Sequence, residues 1–346
     1  MNYFALTTRG LEKFAEHEIT QKLIGSKIKN VSYRKVIFSF DGGYKKILNL
    51  RAIEDVFYFI GTLENIKHTK CSLNDLVNKI CLLDFHKALN FISNFRQDKI
   101  KEFSISSSSI GKRNYSYIEV KENLSKRLEK ILKLQYEDER HSDFDIRIFI
   151  EHDVAIVGIR LGNKPLYRRS YKIKTTKATL QADIAYVMSE IAEIKKDNII
   201  LDPMCGSGTI LIESSTFNPK KIIGSDINKE ALEASKINIE NFNSNLQIDL
   251  NNWDSESLPI DDNSIDKIIC NLPFGKQIKI NSMDLFYLKI TSEFNRVLKK
   301  DGLIILLTSN PEILKDAIRK NRLILKNEFE ISVNGEIADI CVIGKP

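Results

Sequence analysis

The segment NIILDPMCGSGTILIE, residues 198–213, decides the fold of the chain. An apolar run ends at Asp202, a turn with Gly206 and Gly208 follows, and a second apolar run begins at once. This pattern predicts a buried strand, a tight turn and a helix. In a parallel α/β sheet such a turn lies at the carboxyl end of the strand, where nucleotide-like ligands bind.

The glycine turn has three other interpretations. A phosphate-binding loop requires a lysine before its serine or threonine, whereas Thr209 follows Gly208 directly, which disfavours an NTPase. A dinucleotide-binding fingerprint requires a third glycine, and Ile210 and Leu211 break that pattern. A purely structural strand-to-helix turn is the remaining alternative.

Strands alternate with helices on both sides of this turn. After a helix at 178–194, the predicted strands are 198–201, 221–225, 266–270 and 302–307, and the predicted helices are 208–215, 229–241, 284–298 and 312–320. This alternation predicts a parallel, doubly wound α/β sheet. Two final strands around Asn334 and Gly335 predict an antiparallel hairpin at its edge.

The first 163 residues contain shorter elements, which predict smaller α+β units. The alternating pattern VSYRKVIFSF at 31–40 predicts one strand, and the polar segment SSSSIGKRNYSY at 106–117 predicts a loop that leads into a helix. Hydroxyls, cations and aromatic rings in that segment can hold phosphates and riboses. A flexible surface loop is the alternative.

Two further acids are candidates for binding a nucleoside. Asp226 ends the second predicted strand, 24 positions after Asp202, where a carboxylate accepts hydrogen bonds from ribose hydroxyls. Asp254 is a candidate for holding an adenine amino group, and Trp253 packs either beside the base or in the core.

The predicted strand at 266–270 is followed directly by Asn271, Leu272, Pro273 and Phe274. The side-chain oxygen of Asn271 and the carbonyl of Leu272 can both accept hydrogen bonds from an exocyclic amine. Phe274 can stack on the ring of that base, and Pro273 fixes the turn. Two acceptors orient the lone pair of the amine and disperse the positive charge that grows as it attacks a methyl group. A plain strand-end turn is the alternative.

The motifs DPMCGSGT, SDIN and NLPFG resemble those of Rossmann-fold, S-adenosylmethionine-dependent amino-methyltransferases. Together they look most like THUMP-domain RNA guanosine N2-methyltransferases. The segments SSSSIGKRNYSYIEV, DIRIFIEHDVAIVGIRLGNKPLYRRSY and ATLQADIAYVMSEIA are similar to the THUMP domain, the linker and the helix before the first motif. Leu272 departs from the family, in which proline is common at that position.

The resemblance implies a doubly wound Rossmann-fold methyltransferase domain with a terminal antiparallel hairpin, preceded by a ferredoxin-like α+β domain and a THUMP domain. We expect the ferredoxin-like domain at 1–62, the THUMP domain at 63–163, a basic linker at 164–177 and the methyltransferase domain at 178–346. The resemblance further implies S-adenosylmethionine as cofactor, tRNA as partner and no metal.

Three sets of site residues follow. The expected catalytic residues are Asn271, Leu272, Pro273 and Phe274. The expected cofactor-binding residues are Asp202, Pro203, Met204, Cys205, Gly206, Ser207, Gly208, Thr209, Asp226, Ile227, Asp254 and Asn271. The expected RNA contacts are Lys112, Arg113, Tyr115, Arg168, Arg169, Lys172, Lys174 and Lys276. For each basic residue, an ordinary surface cation is the alternative.

The net charge of +6 is unevenly distributed. Residues 1–163 hold 27 basic and 21 acidic residues, whereas residues 164–346 hold 25 of each. The strip 164–177 contains six basic residues and no acid, which leaves 19 basic and 25 acidic residues in 178–346. The front half and the strip therefore favour a polyanion as partner, with a solvated linker as the alternative.

The composition excludes several classes. A chain of 346 residues that is 42% apolar and 28% charged is a folded protein of two or three domains. No apolar run predicts a membrane span or a signal peptide, and five separated cysteines argue against a disulfide framework or a zinc site.

We therefore expect a cytoplasmic enzyme, without an obligate protein partner, that methylates N2 of a guanosine in the acceptor-stem region of tRNA. The alternatives are ribosomal RNA or another nucleobase amine as substrate, a DNA adenine or protein glutamine methyltransferase, and a non-catalytic RNA-binding protein.

Overall fold

The computed structural model describes residues 1–96, 99–138, 143–176, 179–242, 248–274 and 282–346. Two compact units are formed, Met1–Thr7 with Ala15–Leu166 and Thr8–Phe14 with Tyr167–Pro346. No helix in the described ranges has the length and apolar character that crossing a membrane requires.

The strands before residue 167 form one eight-stranded sheet. The elements are β1 (Asn2–Leu6), α1 (Glu12–Lys22), β2 (Lys27–Ser32), β3 (Lys35–Ser39), a 3-10 turn (Tyr44–Asn49), β4 (Asp55–Leu63), α2 (Ser72–Cys81), α3 (Phe85–Arg96), β5 (Glu102–Ile110), α4 (Tyr117–Leu132), β6 (Gln135–Tyr136), β7 (Phe144–Glu151) and β8 (Val154–Arg160). The sheet order is β2-β3-β1-β4-β8-β7-β5-β6. Because β4 pairs with β8, the segments 1–62 and 63–163 share this sheet, and their separation into two domains stays a prediction.

Two predictions for this unit are wrong in detail. The single strand expected at 31–40 is instead the hairpin of β2 and β3, with Arg34 in the left-handed region at φ 57°. A turn without glycine or proline gives no local signal in an alternating sequence. The serine-rich segment expected in a loop continues β5 as far as Ile110, where it pairs with Glu151 of β7.

A buried arginine holds two carboxylates in this unit. Arg160 donates from Nε to Asp55 at 2.7 Å and from Nη1 to Asp145, and none of the three side chains is more than 9% exposed. Burial raises the pKa of Asp55 to about 6, although the Arg160 charge opposes the rise. One guanidinium therefore compensates two buried acids.

We expect Arg160→Ala to destabilise this unit by about 3–5 kcal/mol, because both carboxylates stay buried without their cation. Arg34→Ala is the control, since Arg34 pairs with Glu54 at a more exposed site and such pairs contribute about 1 kcal/mol or less. Urea denaturation measures both losses of unfolding free energy. Equal losses would contradict the role given to Arg160.

The second unit contains a seven-stranded sheet. Its elements are α5 (Ala182–Ile191), β9 (Ile199–Asp202), α6 (Thr209–Ser215), β10 (Lys221–Ser225), α7 (Lys229–Phe242), β11 (Ile248–Asn251), β12 (Ile265–Asn271), α8 (Met283–Val297), β13 (Leu298–Thr308), α9 (Pro311–Lys320), β14 (Ile324–Val333) and β15 (Glu336–Gly344). The order is β11-β10-β9-β12-β13-β15-β14, in which β15 is antiparallel to both neighbours and the other pairs are parallel.

This topology confirms the predicted α/β sheet and its terminal hairpin. Asn334 and Gly335 form the hairpin turn with φ of 52° and 87°, which is why asparagine and glycine occur there. The strand β11 was not predicted, because its four residues are only half-buried and give no clear apolar run.

The strand order reverses between β9 and β12. From β9 the chain proceeds outward through β10 to β11 and then returns to β12, on the other side of β9. Ligands of open α/β sheets bind beside the carboxyl ends of strands at such a switch point. Asp202 ends β9 and Asn271 ends β12, so both lie at this position.

Candidate active site

The glycine loop, defined as residues 203–208 between β9 and α6, is a tight turn. Gly206 and Gly208 have φ of 53° and 79°, a region that favours glycine. A Cβ atom at Gly208 would lie 2.9 Å from Oγ of Ser235. The positive φ at position 208 and the lack of room for a Cβ atom there therefore both favour glycine.

Two side chains of α7 hold the carbonyl groups of this loop. Oγ of Ser235 donates to the carbonyl of Gly206 at 2.8 Å, and Nδ2 of Asn238 donates to that of Ser207 at 2.9 Å. Neither residue is predicted from the sequence. Their only sequence signal is the spacing of two polar residues on the helix face that also buries Ala231.

Asp226 lies beside the glycine loop. Its Oδ2 accepts a hydrogen bond from the Gly206 N–H at 2.9 Å, and its Oδ1 accepts one from Asn228. Asn252 donates hydrogen bonds from Nδ2 to the carbonyls of Asp226 and Ile227, at 2.8 and 3.0 Å. This residue is not predicted from the sequence either. The side chain of Ile227 is 71% exposed, a placement that suits contact with the face of a base.

Asp254 lies in the next loop of this edge and is exposed. Its Oδ1 accepts a hydrogen bond from the Glu256 N–H at 2.9 Å, which fixes the carboxylate. Trp253 is half-buried and packs against the core cluster of this unit. The structure therefore favours a place for Trp253 in the core over contact with a base.

Asp202 is 1% exposed, and its Oδ1 accepts a hydrogen bond from the Met204 N–H at 3.3 Å. Burial raises the pKa of Asp202 to about 8, and the charge of Asp226 adds to the rise. A hydrogen bond with the Cys270 thiol opposes it. Pro203 and Cys205 of the glycine loop are buried. At the start of α6, Oγ1 of Thr209 is buried with no hydrogen-bond partner in the described part of the chain.

Asn271 presents an unsatisfied acceptor at the end of β12. Its Oδ1 is buried, and among the described residues it has no hydrogen-bond partner. Such an atom is costly in a native fold, and it indicates a ligand that supplies the donor. Leu272 is fully buried and donates its N–H to the carbonyl of Leu307 at 2.9 Å, whereas Pro273 and Phe274 are half-buried.

The expected RNA contacts divide into exposed and internal residues. Lys112, Arg168 and Lys174 are exposed. Arg113 is partly buried and donates to the carbonyl of His152 and to the hydroxyl of Tyr115. Lys276 lies outside the described residues.

Three expected RNA contacts are instead internal. Tyr115 is 6% exposed and belongs to the core of the first unit, so its ring offers no face to a base. Arg169 donates to the fully buried Glu213 at 3.2 Å. Lys172 donates to the carbonyl of Leu180 at 2.5 Å, and burial lowers its pKa to about 8. The sequence identifies Arg169 and Lys172 as cations, but it does not show that a carboxylate and a backbone carbonyl within the fold bind them.

All five cysteines are free thiols, and three of them are buried. Within the described ranges, no group of three or more His, Cys, Asp or Glu residues is arranged to hold a metal ion.

This sheet order, with a glycine loop after its first strand and Asn-Leu-Pro-Phe after its fourth, defines a Rossmann-type methyltransferase. Residues 169–339 match the family model described as the RMKL-like methyltransferase domain, UPF0020. This match covers most of the second unit and confirms the methyltransferase class that the motifs predicted.

The chain is similar to several named proteins. It is 25% identical to the tRNA (guanine(6)-N2)-methyltransferase of Methanocaldococcus jannaschii, over 97% of each chain. It is 35% identical to the U6 snRNA (guanine-N(2))-methyltransferase THUMPD2 of Bos taurus, over 50% of this chain and only 33% of that protein. The solved structure of TrmN from Thermus thermophilus has a TM-score of 0.80 and 20% identity, and the match covers 100% of this chain and 99% of TrmN. This last likeness confirms the fold.

The raised pKa of Asp202 makes the stability of the second unit depend on pH. The folded protein holds this proton more tightly than the unfolded chain, so stability falls as the pH rises from the ordinary value of 3.8 to about 8. The slope from one such group is at most about 1.4 kcal/mol per pH unit.

We expect Asp202→Asn to flatten this slope, because an amide does not ionise. Between pH 5 and pH 8, the melting temperature of the wild type should fall further than that of the variant. Asp301→Asn, at an exposed carboxyl, should keep the wild-type slope. Thermal melting across the pH range measures this, and parallel curves for wild type and Asp202→Asn would contradict the placement of a buried acid.

Proposed function

We propose that the protein transfers a methyl group from S-adenosylmethionine to N2 of a guanosine in tRNA, in the acceptor-stem region. The observation that carries the proposal is the buried Oδ1 of Asn271, which has no hydrogen-bond partner among the described residues and lies at the switch point of a methyltransferase sheet. The similarity to a tRNA guanine-N2-methyltransferase over 97% of the chain supports the substrate.

The residues at the sheet edge fit this cofactor. Asp226 can accept hydrogen bonds from the ribose hydroxyls, and Asp254 can accept one from the adenine amino group. Ile227 is exposed and would offer an apolar face to the adenine, while Asp202 and the glycine loop would hold the methionine end. S-adenosylmethionine supplies the methyl group on a sulfonium centre.

The chain's own residues orient the attacking amine. Oδ1 of Asn271 and the carbonyl of Leu272 would accept hydrogen bonds from its two N–H groups, so that its lone pair points along the line of displacement. Both oxygens would stabilise the positive charge that grows on the nitrogen as it gains the methyl group; S-adenosylhomocysteine is the leaving group, and the proton lost from nitrogen passes to water. A base paired in a stem must first leave the helix, and Phe274 can stack against it in the site.

The RNA contacts are assigned to exposed cations. Arg168 and Lys174 are exposed on the strip 164–177 beside the catalytic domain, and Lys112 is exposed in the first unit. Next to Lys112 in the sequence, Arg113 and the side chains of Ser107–Ser109 and Ser116 line a shallow, open depression of the surface. We assign residues 63–163 to a THUMP domain that holds RNA there. The cytoplasmic location and the lack of an obligate protein partner stay predictions.

Another RNA is the second candidate substrate. The bovine relative named for U6 snRNA shares 35% identity, but the match covers only half of this chain. The archaeal relative named for tRNA also matches the front half, which favours tRNA. The deciding experiment incubates the protein with labelled S-adenosylmethionine and unmodified tRNA, then digests the RNA and identifies the methylated nucleoside. Label in N2-methylguanosine supports the proposal, and absence of label from tRNA contradicts it.

We expect Asn271→Ala to lower the rate of methyl transfer at least about a hundredfold, because an acceptor that acts in the transition state is lost. Binding of S-adenosylhomocysteine should change little. Asn310→Ala, at the N-cap of α9 two residues after β13, is the matched control and should keep near-normal turnover. Single-turnover kinetics with tRNA gives the rates, and near-normal turnover of Asn271→Ala would remove its orienting role.

We expect the double variant Arg168→Ala, Lys174→Ala to bind tRNA more weakly and with a smaller dependence on salt. Each lost phosphate contact should reduce the slope of log affinity against log salt by about 1. The double variant Lys300→Ala, Lys320→Ala removes two exposed cations of the same unit elsewhere and serves as control. Filter binding at several salt concentrations measures the slopes, and identical slopes for all three proteins would refute the assignment.

A further inference from the structure

One buried side chain joins the basic strip 164–177 to the glycine loop. Asn238 of α7 is 0% exposed, and its amide makes four hydrogen bonds. Oδ1 accepts from the N–H groups of Ile173 and Lys174, both at 2.9 Å. Nδ2 donates to the carbonyl of Lys174 at 2.8 Å and to that of Ser207 at 2.9 Å. An amide has two donors and two acceptor lone pairs, so its full capacity is used.

Lys174 is therefore fixed through its backbone while its side chain is exposed. A phosphate that binds its ammonium group acts on a residue whose N–H and carbonyl are both held by Asn238. The same amide holds the carbonyl of Ser207 in the glycine loop. Displacement of the strip thus changes the hydrogen bonding of the loop.

The strip also approaches the loop at two further points. Oγ1 of Thr176 lies 3.8 Å from the position of a Cβ atom at Gly206. Oγ1 of Thr179, just after the strip, lies 3.3 Å from Oγ of Ser207. The connection through Asn238 is therefore part of a contact that extends over several residues.

We propose that Asn238 is a positioning residue that couples RNA binding at the strip to cofactor binding at the glycine loop. The inference rests on the proposed function, which places RNA phosphates at Arg168 and Lys174 and the cofactor at the loop. Both ligands use the arrangement that Asn238 holds, so each strengthens the binding of the other. Linkage requires the two effects to be equal.

The chain offers a matched control on the same helix. Asn241 donates from Nδ2 to the carbonyl of Ser170 in the strip at 2.8 Å, at an exposed site. Asn238→Asp is the conservative variant, because it keeps acceptors for the two N–H groups and loses both donated hydrogen bonds. Comparison with Asn238→Ala isolates the contribution of the two hydrogen bonds that Oδ1 accepts from the strip.

The experiment is a titration of the full chain with S-adenosylhomocysteine, by calorimetry, with and without saturating unmodified tRNA. In the wild type we expect tRNA to tighten binding about fivefold or more, and S-adenosylhomocysteine to tighten tRNA binding by the same factor. Asn238→Ala and Asn238→Asp should bring the factor close to 1, whereas Asn241→Ala should retain it. A purely structural role would weaken each binding step and leave the factor unchanged.

A wild-type factor within twofold of 1, or Asn238 variants that keep the wild-type factor, would overturn the coupling. The wild-type measurement needs no substitution, so poor folding of a variant, seen by thermal melting, leaves the test intact. Failure of the wild type to bind S-adenosylhomocysteine or tRNA at all would contradict the proposed function itself.

Discussion

The site depends on the parallel pairing of β9 and β12. This pairing sets Leu201 opposite Ile268, and it brings Asp202 and the residues that follow Cys270 to one edge of the sheet. Side chains alternate between faces along a strand, so a slip of one residue would turn Asn271 away from its present face. The relative positions of the glycine loop, the carboxylates and the Asn271 amide are therefore all set by the backbone hydrogen bonds between these strands.

The elements that sequence predicted are those encoded locally. The strand, turn and helix around Gly206 and Gly208, the acids at strand ends and the Asn334-Gly335 hairpin each carry their own signal within about ten residues. Apolar strands of a parallel sheet and obligatory glycines leave few alternative structures. The candidate site could be predicted to the extent that it is made of such strand ends.

The features of the structure that could not be predicted depend on contacts between residues far apart in the sequence. Asn238 and Asn252 belong to no sequence motif. Their role is visible only in the folded structure, where they donate hydrogen bonds to the carbonyls of neighbouring loops. The inward direction of Arg169 requires knowledge of Glu213, which lies 44 residues later. Tyr115 looks like a surface ring in a polar segment, but packing on neighbouring elements places it in the core.

Leu272 lies in the hydrophobic core and is also part of the proposed reaction site. Its carbonyl is assigned to the substrate amine, while its side chain lies in the cluster that contains Tyr287 and Phe294 of α8. A proline in its place would lose the N–H bond to Leu307 and fill less of the space that leucine occupies, leaving a void. The position of the proposed acceptor is thus set by side-chain packing, so a substitution in this part of the interior would alter the proposed reaction geometry as well as the stability of the fold.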